Sequence, residues 1–444
     1  MSTTNKKQLH IGVLLYGCGH HQAAWLMEGS SVEQIGEISY YQSLAQLAEK
    51  GLFDAVFFAD NQSFPARDVS EMPAFWYDPL INLTAISQAT KHVGLVSTIS
   101  STFSNPFTAA RQLLSLDYVS NGRVGWNLVT SMTDFEAMNH GMDALPNHSE
   151  RYRKADEFAE VMNQLFTSWK RDDFIHCRDK NQLIDPENIH PIQHKGQYFK
   201  VNGPLTTPKS PQGKPVAMQA GASEQGVALA AKYAEAVYSV SWNLQQAKNF
   251  RARLDTELEQ SGNKKRSVKI FPGLVTYVAK TREEAFAKKA ALDNKLPIET
   301  ALKQLSFFVQ QDCMTWELDG KVPPLPPVEQ FTGPVGRYET VLEIIRDREP
   351  TVRELLGYLN AGGGHLTLIG TAEEIVDEME VWLKEGVADG FNLMPPTLPG
   401  SLADFVQLIV PELQKRGLFR TAYEGQTFRE HLGLSEEIHE LELS

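Results

Sequence analysis

The sequence has few cysteines and no metal-binding motif, and both absences exclude a class of protein. Its three cysteines, Cys18, Cys177 and Cys313, lie far apart, and none belongs to a C-x-x-C pair. This spacing argues against a disulfide framework and a thiolate metal site, and it favours a reducing compartment. The adjacent His20 and His21 match no zinc spacing such as H-E-x-x-H, so we expect no metal.

A long basic run and a long apolar run are also missing. The formal net charge is -13, and the excess of acid is spread through the helical segments. We therefore expect neither nucleic acid nor an anionic membrane as a partner. The first residues, MSTTNKKQLHIGVLL, lack the apolar stretch of a signal peptide, and no apolar run elsewhere is long enough to span a bilayer. The expected location is the cytoplasm.

Apolar residues are numerous enough for one large domain. The chain has 444 residues, of which 42% are hydrophobic, so it can bury a substantial core. We predict a single domain over residues 1–444, with insertions at about 170–214 and 296–365. In the first insertion, HKGQYFKVNGPL predicts a hairpin with turn residues around Gly196, Asn202 and Gly203. The second contains PPLPP and helical patterns, and it predicts a folded lid over one barrel end.

Short apolar runs alternate with helical patterns along the chain, as in successive βα units. The helical segments carry apolar stripes at three-to-four spacing. A closed barrel is the architecture that buries eight parallel strands on both faces, so the predicted fold is an α/β (β/α)8 TIM barrel. The eight predicted strands are His10–Tyr16, Ala55–Ala59, Val93–Thr98, Val124–Val129, Pro215–Gln219, Ala236–Val240, Lys269–Val278 and Gly390–Met394.

In such a barrel the reactive side chains lie at the carboxyl ends of the strands. Asp60 directly follows the second predicted strand, and Thr98 ends the third. Asn127, Thr130 and Ser131 leave the fourth strand, which begins after a turn signal and ends in polar residues. This set offers hydroxyls, an amide and a carboxylate, and it suits binding of a hydrogen-bonding ring cofactor better than hydrolysis.

Two helix starts add further candidates. His148 and Tyr152 lie four residues apart at the start of a predicted helix, and therefore on one face. The segment Gly221-Ala222-Ser223 precedes another helix, where free backbone N–H groups and the helix dipole favour an anion such as phosphate. Each candidate also has a structural explanation, which is the stronger one when the residue is taken alone. Ser223 can simply cap its helix, Asp60 can cap a turn, and Tyr152 can be a core aromatic.

A set of sequence blocks, taken together, identifies a resemblance. In chain order they are YGCGHHQAAW, GLFDAVFFAD, HVGLVSTISSTFSNPF, GWNLVTS, HSERYRKADEFAEVMNQLFTSW, HKGQYFKVNGPLTTPKSPQGKPVAMQAGASEQG and AEAVYSV. They cover nearly the whole chain and closely resemble the flavin-dependent monooxygenases related to bacterial luciferase. The match is to the branch that oxidises nitrilotriacetate, EDTA, dibenzothiophene sulfone and long-chain alkanes. The resemblance implies a barrel of the bacterial luciferase type.

The resemblance also implies a cofactor, partners and site residues. Members of this family bind reduced FMN noncovalently, receive it from a separate NAD(P)H:flavin oxidoreductase, and react it with O2. A homodimer or homotetramer is implied as well. His21 lies in the family's first-strand loop above the flavin, which makes it the predicted catalytic residue for proton transfer. The flavin contacts correspond to Asp60, Thr98, His148, Tyr152 and Ser223, with Asn127, Ser131 and Ala222 as weaker assignments.

The expected function is therefore that of an FMNH2-dependent two-component monooxygenase acting on a small nitrogen- or sulfur-containing organic compound. Two alternatives stay open. The first is a deazaflavin-dependent oxidoreductase of the same superfamily, against which the HSERY and GPLTTPKSPQG blocks argue. The second is a noncatalytic flavin-binding protein, since a fold alone never establishes activity. The polar residues retained at strands two to five argue against that reading.

Overall fold

Eight parallel strands close into a barrel in the computed structural model, which describes residues 7–64, 77–170, 178–261, 267–331 and 335–434. The ring order is β9-β11-β1-β2-β3-β4-β7-β8, and β8 pairs back onto β9. This confirms the predicted (β/α)8 barrel. The strands in chain order are β1 His10–Leu14, β2 Ala55–Phe58, β3 Gly94–Ser100, β4 Val124–Val129, β5 His194–Lys195, β6 Lys200–Val201, β7 Val216–Gln219, β8 Ala236–Ser239, β9 Lys269–Val278, β10 Leu366–Gly370 and β11 Gly390–Leu393.

The strand residues divide between two cores because successive side chains point to opposite faces of a strand. In β2, Val56 packs outward in the large core shared with the helices, whereas Phe57 points into the barrel. In β3, Leu95 packs outward and Val96 inward. Both faces are thus covered, which explains why these strands are continuous apolar runs rather than alternating ones.

Helices surround the barrel and account for the amphipathic patterns between the strands. A π-helical turn over Phe405–Ile409 joins two of them. The helices are α1 Ile38–Lys50, α2 Pro79–Ser87, α3 Pro106–Ser120, α4 Asp134–Asn139, α5 His148–Phe166, α6 Glu224–Tyr233, α7 Leu244–Gln260, α8 Arg282–Lys295, α9 Ile298–Val309, α10 Val335–Arg348, α11 Val352–Leu359, α12 Ala372–Lys384, α13 Gly400–Asp404, α14 Val410–Lys415 and α15 Phe428–His431.

The amino end of the barrel is filled by a side chain from the last helix. Phe428 of α15 is buried with the inward-facing strand residues. A Cβ on Gly94 would lie 2.4 Å from its ring, and a Cβ on Gly125 would lie 2.9 Å from it. Glycine at these two strand positions therefore makes room for the aromatic ring.

One strand was not predicted. β10 pairs in parallel with β9 through Leu366 and Leu274, and it lies outside the ring of eight. The reason is the length of β9: its first residues pair with β8, and its last residues extend past the ring and pair with β10. The predicted hairpin is confirmed, since β5 and β6 pair antiparallel, with His194 opposite Val201.

The segment between β9 and β10 carries its own apolar cluster. Helices α9, α10 and α11 contribute Leu305, Tyr338 and Leu355, which are fully buried together. Ala23, from the loop after β1, and Trp242, from the loop after β8, pack into the same cluster. These helices therefore lie over the carboxyl end of the barrel, where those loops begin.

Within the described ranges no helix is long and apolar enough to cross a membrane. The same ranges contain no group of three or more His, Cys, Asp or Glu side chains arranged to hold a metal ion. Cys18 and Cys313 are buried free thiols. Cys177 lies outside the described residues.

Candidate functional site

Thr98 and Asn127 lie side by side in the barrel, on the neighbouring strands β3 and β4. Their Cα atoms are register partners, and Asn127 Nδ2 donates a hydrogen bond of 3.3 Å to Thr98 Oγ1. Both side chains are buried. Asn127 Oδ1 is enclosed and has no hydrogen-bond partner among the described residues. A buried acceptor left unpaired is costly, so this atom points to a donor that a bound ligand would supply.

Two further strand residues carry unpaired side-chain oxygens. Asn392 extends this inner pocket, whereas Gln219 pairs in register with Leu128, which packs outward. Gln219 ends β7, Asn392 lies in β11, and the side-chain oxygen of each is buried without a partner in the part of the chain that is described. Asn392 Oδ1 lies 3.2 Å from where a Cβ on Gly12 would be, so it faces the barrel interior beside β1. Neither residue is among the predicted site residues, although both are polar residues near strand ends, which is the signal that could have found them.

Ser131 stabilises the loop after β4. Its backbone is left-handed, with a φ of 60°, and its hydroxyl lies 2.8 Å from Ser100 Oγ at the end of β3. Nearby, Thr102 Oγ1 donates a hydrogen bond of 2.7 Å to the carbonyl of Thr130. These bonds join the loops after β3 and β4, and they give Ser131 a positioning role beside Thr98 and Asn127.

Tyr152 and Ser223 meet at the starts of two helices. Ser223 caps α6 by accepting a hydrogen bond of 3.1 Å from the Gly226 N–H, and its hydroxyl lies 3.4 Å from Tyr152 Oη. The exposed ring of His148 packs against the Tyr152 ring at 4.7 Å between centroids. The predicted shared face of His148 and Tyr152 is therefore present. Capping by Ser223 leaves the other first-turn N–H groups of α6 open to an anion.

Gly221 keeps the space in front of α6 open. A Cβ at this position would lie 2.3 Å from Gln219 Nε2 and 3.2 Å from Tyr152 Oη. Ala222 then leads into the cap, and its Cβ lies 3.5 Å from where a Cβ on Gly336 would be. The start of α10 therefore comes close to this turn.

Asp60 has no hydrogen bond to the site residues described above. Its carboxylate accepts a hydrogen bond of 2.6 Å from Gln62 Nε2. Burial raises the pKa of Asp60, and the charges of Asp78 and Glu136 raise it further. Gln62 Oε1 in turn lies 2.5 Å from His140 Nε2. Asp60 therefore belongs to a hydrogen-bonded rim after β2, next to residues 65–76, which lie outside the described residues.

Hydrogen bonds hold both ring nitrogens of His21, and its catalytic role stays a prediction. Its Nε2 lies 3.0 Å from Asp293 Oδ1, and its Nδ1 accepts a hydrogen bond of 3.1 Å from the Ala23 N–H. The side chain has no exposed surface. Nε2 thus joins the loop after β1 to α8, and Nδ1 is bound within that loop. These contacts give His21 a structural role. The sequence could not show this, because a loop has no periodicity that separates His21 from His20.

We expect His21→Ala to act on stability. The change removes a hydrogen bond to the Asp293 carboxylate and leaves that partly buried group less well paired, so the free energy of unfolding should fall by about 1–3 kcal/mol. Urea unfolding measures the loss. The matched control is the neighbouring change His20→Ala, which leaves Asp293 untouched. An unchanged midpoint for His21→Ala, with loss of turnover, would support the catalytic assignment.

Three residues that the sequence analysis did not assign meet near the carboxyl end of β9 and β1. His20 Nε2 lies 3.1 Å from the Leu14 carbonyl, and its pKa is lowered to about 4 by burial and by the charge of Arg337. His365 fills the space inside Gly273, where a Cβ would lie 2.2 Å from its Nδ1. Burial and the charge of Arg337 lower the pKa of His365 as well. Both imidazoles are therefore neutral near pH 7.

The two groups of residues fit a phosphorylated, ring-shaped cofactor such as FMN. The inner group presents the unpaired oxygens of Asn127 and Asn392 toward the barrel interior. The outer group presents the Tyr152 and Ser223 hydroxyls around the open space at Gly221. A flavin ring offers N–H donors to the first group, and a phosphate suits the second.

Comparisons with known proteins show which proteins this chain is similar to. The sequence profile of the family described as "Luciferase-like monooxygenase" matches residues 14–389. N-acetyl-S-(2-succino)cysteine monooxygenase of Bacillus subtilis (strain 168) is 37% identical over 438 residues, which are 98% of this chain and 99% of the relative. Nitrilotriacetate monooxygenase component A of Aminobacter aminovorans is 38% identical over 443 residues, or 97% of each. A crystal structure of riboflavin lyase with modified FMN and riboflavin superposes with a TM-score of 0.84 at 28% identity, covering 97% of this chain and 96% of that one.

Proposed function

We propose, on the premise that the chain belongs to the luciferase-like monooxygenase family, that it is an FMNH2-dependent two-component monooxygenase. Its substrate is a small organic compound containing nitrogen or sulfur, and O2 supplies the inserted oxygen atom. The observation that carries the proposal is the unpaired Asn127 Oδ1, buried in the barrel among polar strand-end residues that suit a flavin ring. Its relatives, which are named monooxygenases, support the reaction class.

Different residues would hold the two ends of the cofactor. Tyr152 and Ser223 bind the phosphate through their hydroxyls, with the backbone at Ala222 and the positive end of α6 adding to the attraction. Thr98 and Asn127 hold the ring side and fix its orientation. When bound, reduced FMN supplies the two electrons that activate O2. The protein's own contribution is therefore binding, orientation and the exclusion of water.

The segment over the barrel mouth is suited to excluding water. Helices α9 to α11 have a fully buried apolar cluster that includes Ala23 of the loop after β1. Gly336, near the start of α10, lies against Ala222 beside the proposed phosphate position. A cover held at both places keeps bulk water from the reactive ring while substrate is present.

The proposal includes a partner. Reduced FMN comes from a separate NAD(P)H:flavin oxidoreductase, and the chain itself assembles as a homodimer or homotetramer. FMN would be preferred over FAD, because a terminal phosphate would be held at the start of α6 by Tyr152, Ser223 and the free backbone N–H groups, with no group assigned to an adenylate. An exchangeable flavin also means that the protein is isolated largely without it.

The test of the function is oxygen transfer. We expect the protein, supplied with a flavin reductase, NADH, FMN and 18O2, to add one 18O atom to a substrate or to release an oxidised cleavage product. Nitrilotriacetate and N-acetyl-S-(2-succino)cysteine are the first compounds to screen, by mass spectrometry. The control reaction replaces FMN with FAD and should be slower. The proposed function is wrong if hydrogen peroxide is the only product with every compound and the protein does not quench the fluorescence of FMN.

A further inference from the structure

Arg337 combines partial burial with the lack of a charged partner. It lies near the start of α10, and burial lowers its pKa to about 10. In the described part of the chain no Asp or Glu side chain forms an ion pair with it. A cation that is partly withdrawn from water without a counter-ion has lost hydration that no opposite charge replaces. Its position therefore calls for an explanation by function.

The guanidinium is held in place by one of its two edges. Nη1 donates hydrogen bonds of 2.8 Å to the Gly362 carbonyl and 2.6 Å to the Gly363 carbonyl. Its carbon lies 5.9 Å from the centroid of the Phe308 ring. These contacts use one nitrogen and fix the plane of the group, so the remaining donors have a defined direction.

The other edge is free. An arginine has five N–H donors, and those on Nε and Nη2 of Arg337 have no hydrogen-bond partner among the described residues. Neither atom is among the enclosed, unpaired ones, so both remain accessible. The Nε and Nη2 edge is the fork that binds both oxygens of a carboxylate. An oxyanion is therefore the chemistry that completes this group.

The glycine turn fixes the free edge at the barrel mouth. Gly362, Gly363 and Gly364 have φ values of 68°, 59° and 91°, which L side chains rarely adopt. A Cβ on Gly362 would lie 3.0 Å from Val275 of β9 and 3.5 Å from Met394 beyond β11. The turn that holds Arg337 is thus packed directly on the carboxyl ends of two barrel strands.

Two sources of an oxyanion are available there, the FMN phosphate and a substrate carboxylate. The ring order separates them. Tyr152 and Ser223 lie on helices next to β4 and β7, whereas the Arg337 turn packs on β9 and beyond β11. Within the ring β9 and β11 are neighbours, and β8 separates β9 from β7. Gly336 lies against Ala222 at the phosphate turn, but the Arg337 side chain leads away from it, because its guanidinium is bound to the Gly362 and Gly363 carbonyls over β9. The position of the guanidinium therefore favours the substrate.

We propose that Arg337 is a specificity-determining residue that binds a carboxylate of the substrate through its Nε and Nη2 edge. The preferred substrates are then small organic acids whose nitrogen or sulfur atom lies a few bonds from a carboxylate. The neutral His20 and His365 add uncharged hydrogen-bonding groups beside the guanidinium. This inference rests on the proposed function and narrows its substrate class.

The experiment measures binding rather than turnover. Nitrilotriacetate, N-acetyl-S-(2-succino)cysteine and the trimethyl ester of the latter are titrated into the full-length protein with and without oxidised FMN, by calorimetry. Arg337→Met should weaken binding of both acids by about tenfold to a hundredfold, as expected for loss of a charge-assisted bond. The affinity of Arg337→Met for the neutral ester should stay within about twofold of the parent protein's affinity for it, because the ester makes no such bond. Arg337→Lys keeps the charge but not the fork, and should fall between the parent and Arg337→Met.

The matched control is Arg346→Met, which changes an exposed arginine on the same helix whose partner is Glu343. It should leave all three affinities unchanged. If Arg337→Met weakens FMN binding and leaves the acids unaffected, the guanidinium serves the phosphate and the proposal is wrong. Equal losses for the acids and the ester indicate a structural role and also overturn it. A parent that binds FMN but neither acid refutes the substrate class alone, whereas a parent that binds the acids but no FMN contradicts the proposed function alone.

Discussion

The double change Tyr152→Phe and Ser223→Ala is expected to lower the affinity for FMN by about 100-fold or more. In the proposed site each hydroxyl donates to a charged phosphate, and such a hydrogen bond contributes roughly 1.5–3 kcal/mol. Two losses therefore exceed the roughly 2.8 kcal/mol that corresponds to a hundredfold change. Each single change should cost about tenfold. The measurement is quenching of FMN fluorescence on titration with the apo protein.

The control for this prediction separates binding from helix capping. Ser223 also caps α6, and loss of a cap costs about 1 kcal/mol of stability. Thr281→Ala removes the equivalent cap of α8, where Thr281 Oγ1 accepts from the Glu284 N–H at 3.2 Å. It should lower stability by a similar amount without any change in FMN affinity. Unchanged FMN affinity in the double variant would assign Tyr152 and Ser223 to structure alone.

The largest expected effect on stability comes from Arg429→Met. Arg429 is a buried residue of α15 that binds both carboxylate oxygens of Glu235, at 2.5 and 3.0 Å. Burial raises the pKa of Glu235, but the charges of Arg429 and Lys214 and the hydrogen bonds from Arg429 and the Ala217 N–H together lower it. Removing the cation leaves this buried carboxylate with the Ala217 N–H and the charge of Lys214, and breaking such a pair costs about 3–5 kcal/mol. Urea unfolding should show that loss in the free energy of unfolding.

An exposed pair of the same type provides the comparison. Arg353 binds Asp319 through two nitrogens, but both side chains are more than half exposed. Arg353→Met should therefore cost no more than about 1 kcal/mol. Adding Glu235→Gln to Arg429→Met should recover part of the lost stability, because the unpaired charge is removed. Similar losses for Arg429→Met and Arg353→Met would show that burial of the first pair contributes little.

The barrel and the outer half of the site follow from local sequence signals. Strands such as β2 and β3 are short apolar runs, and this pattern arises wherever a parallel strand is covered on both faces. Ser223 before an apolar-periodic segment predicts a helix start, and it does cap α6. His148 and Tyr152 are four residues apart, and helix geometry alone puts their rings together. In each case the information lies within a few neighbouring residues.

The contacts within the inner group of site residues cannot be predicted without knowing how the strands pair. Thr98 and Asn127 were each named because they lie near a strand end, but their hydrogen bond depends on the register of β3 against β4. β10 was missed because a five-residue strand after three glycines carries little pattern, and it forms only because β9 extends past the ring. Register and overhang are set by long-range pairing, which no local window contains.

The sequence by itself determined the barrel, its polar strand ends and the helix start that suits a phosphate, because these depend on spacing along the chain. Only the tertiary structure decided which polar groups face a ligand. It turned His21 toward Asp293 and left His20 beside the charge of Arg337. It also brought Arg337, far along the chain, to the carboxyl ends of β9 and β11 through the turn at Gly362. Loops and insertions have no period, so the direction of their side chains follows from packing against distant elements.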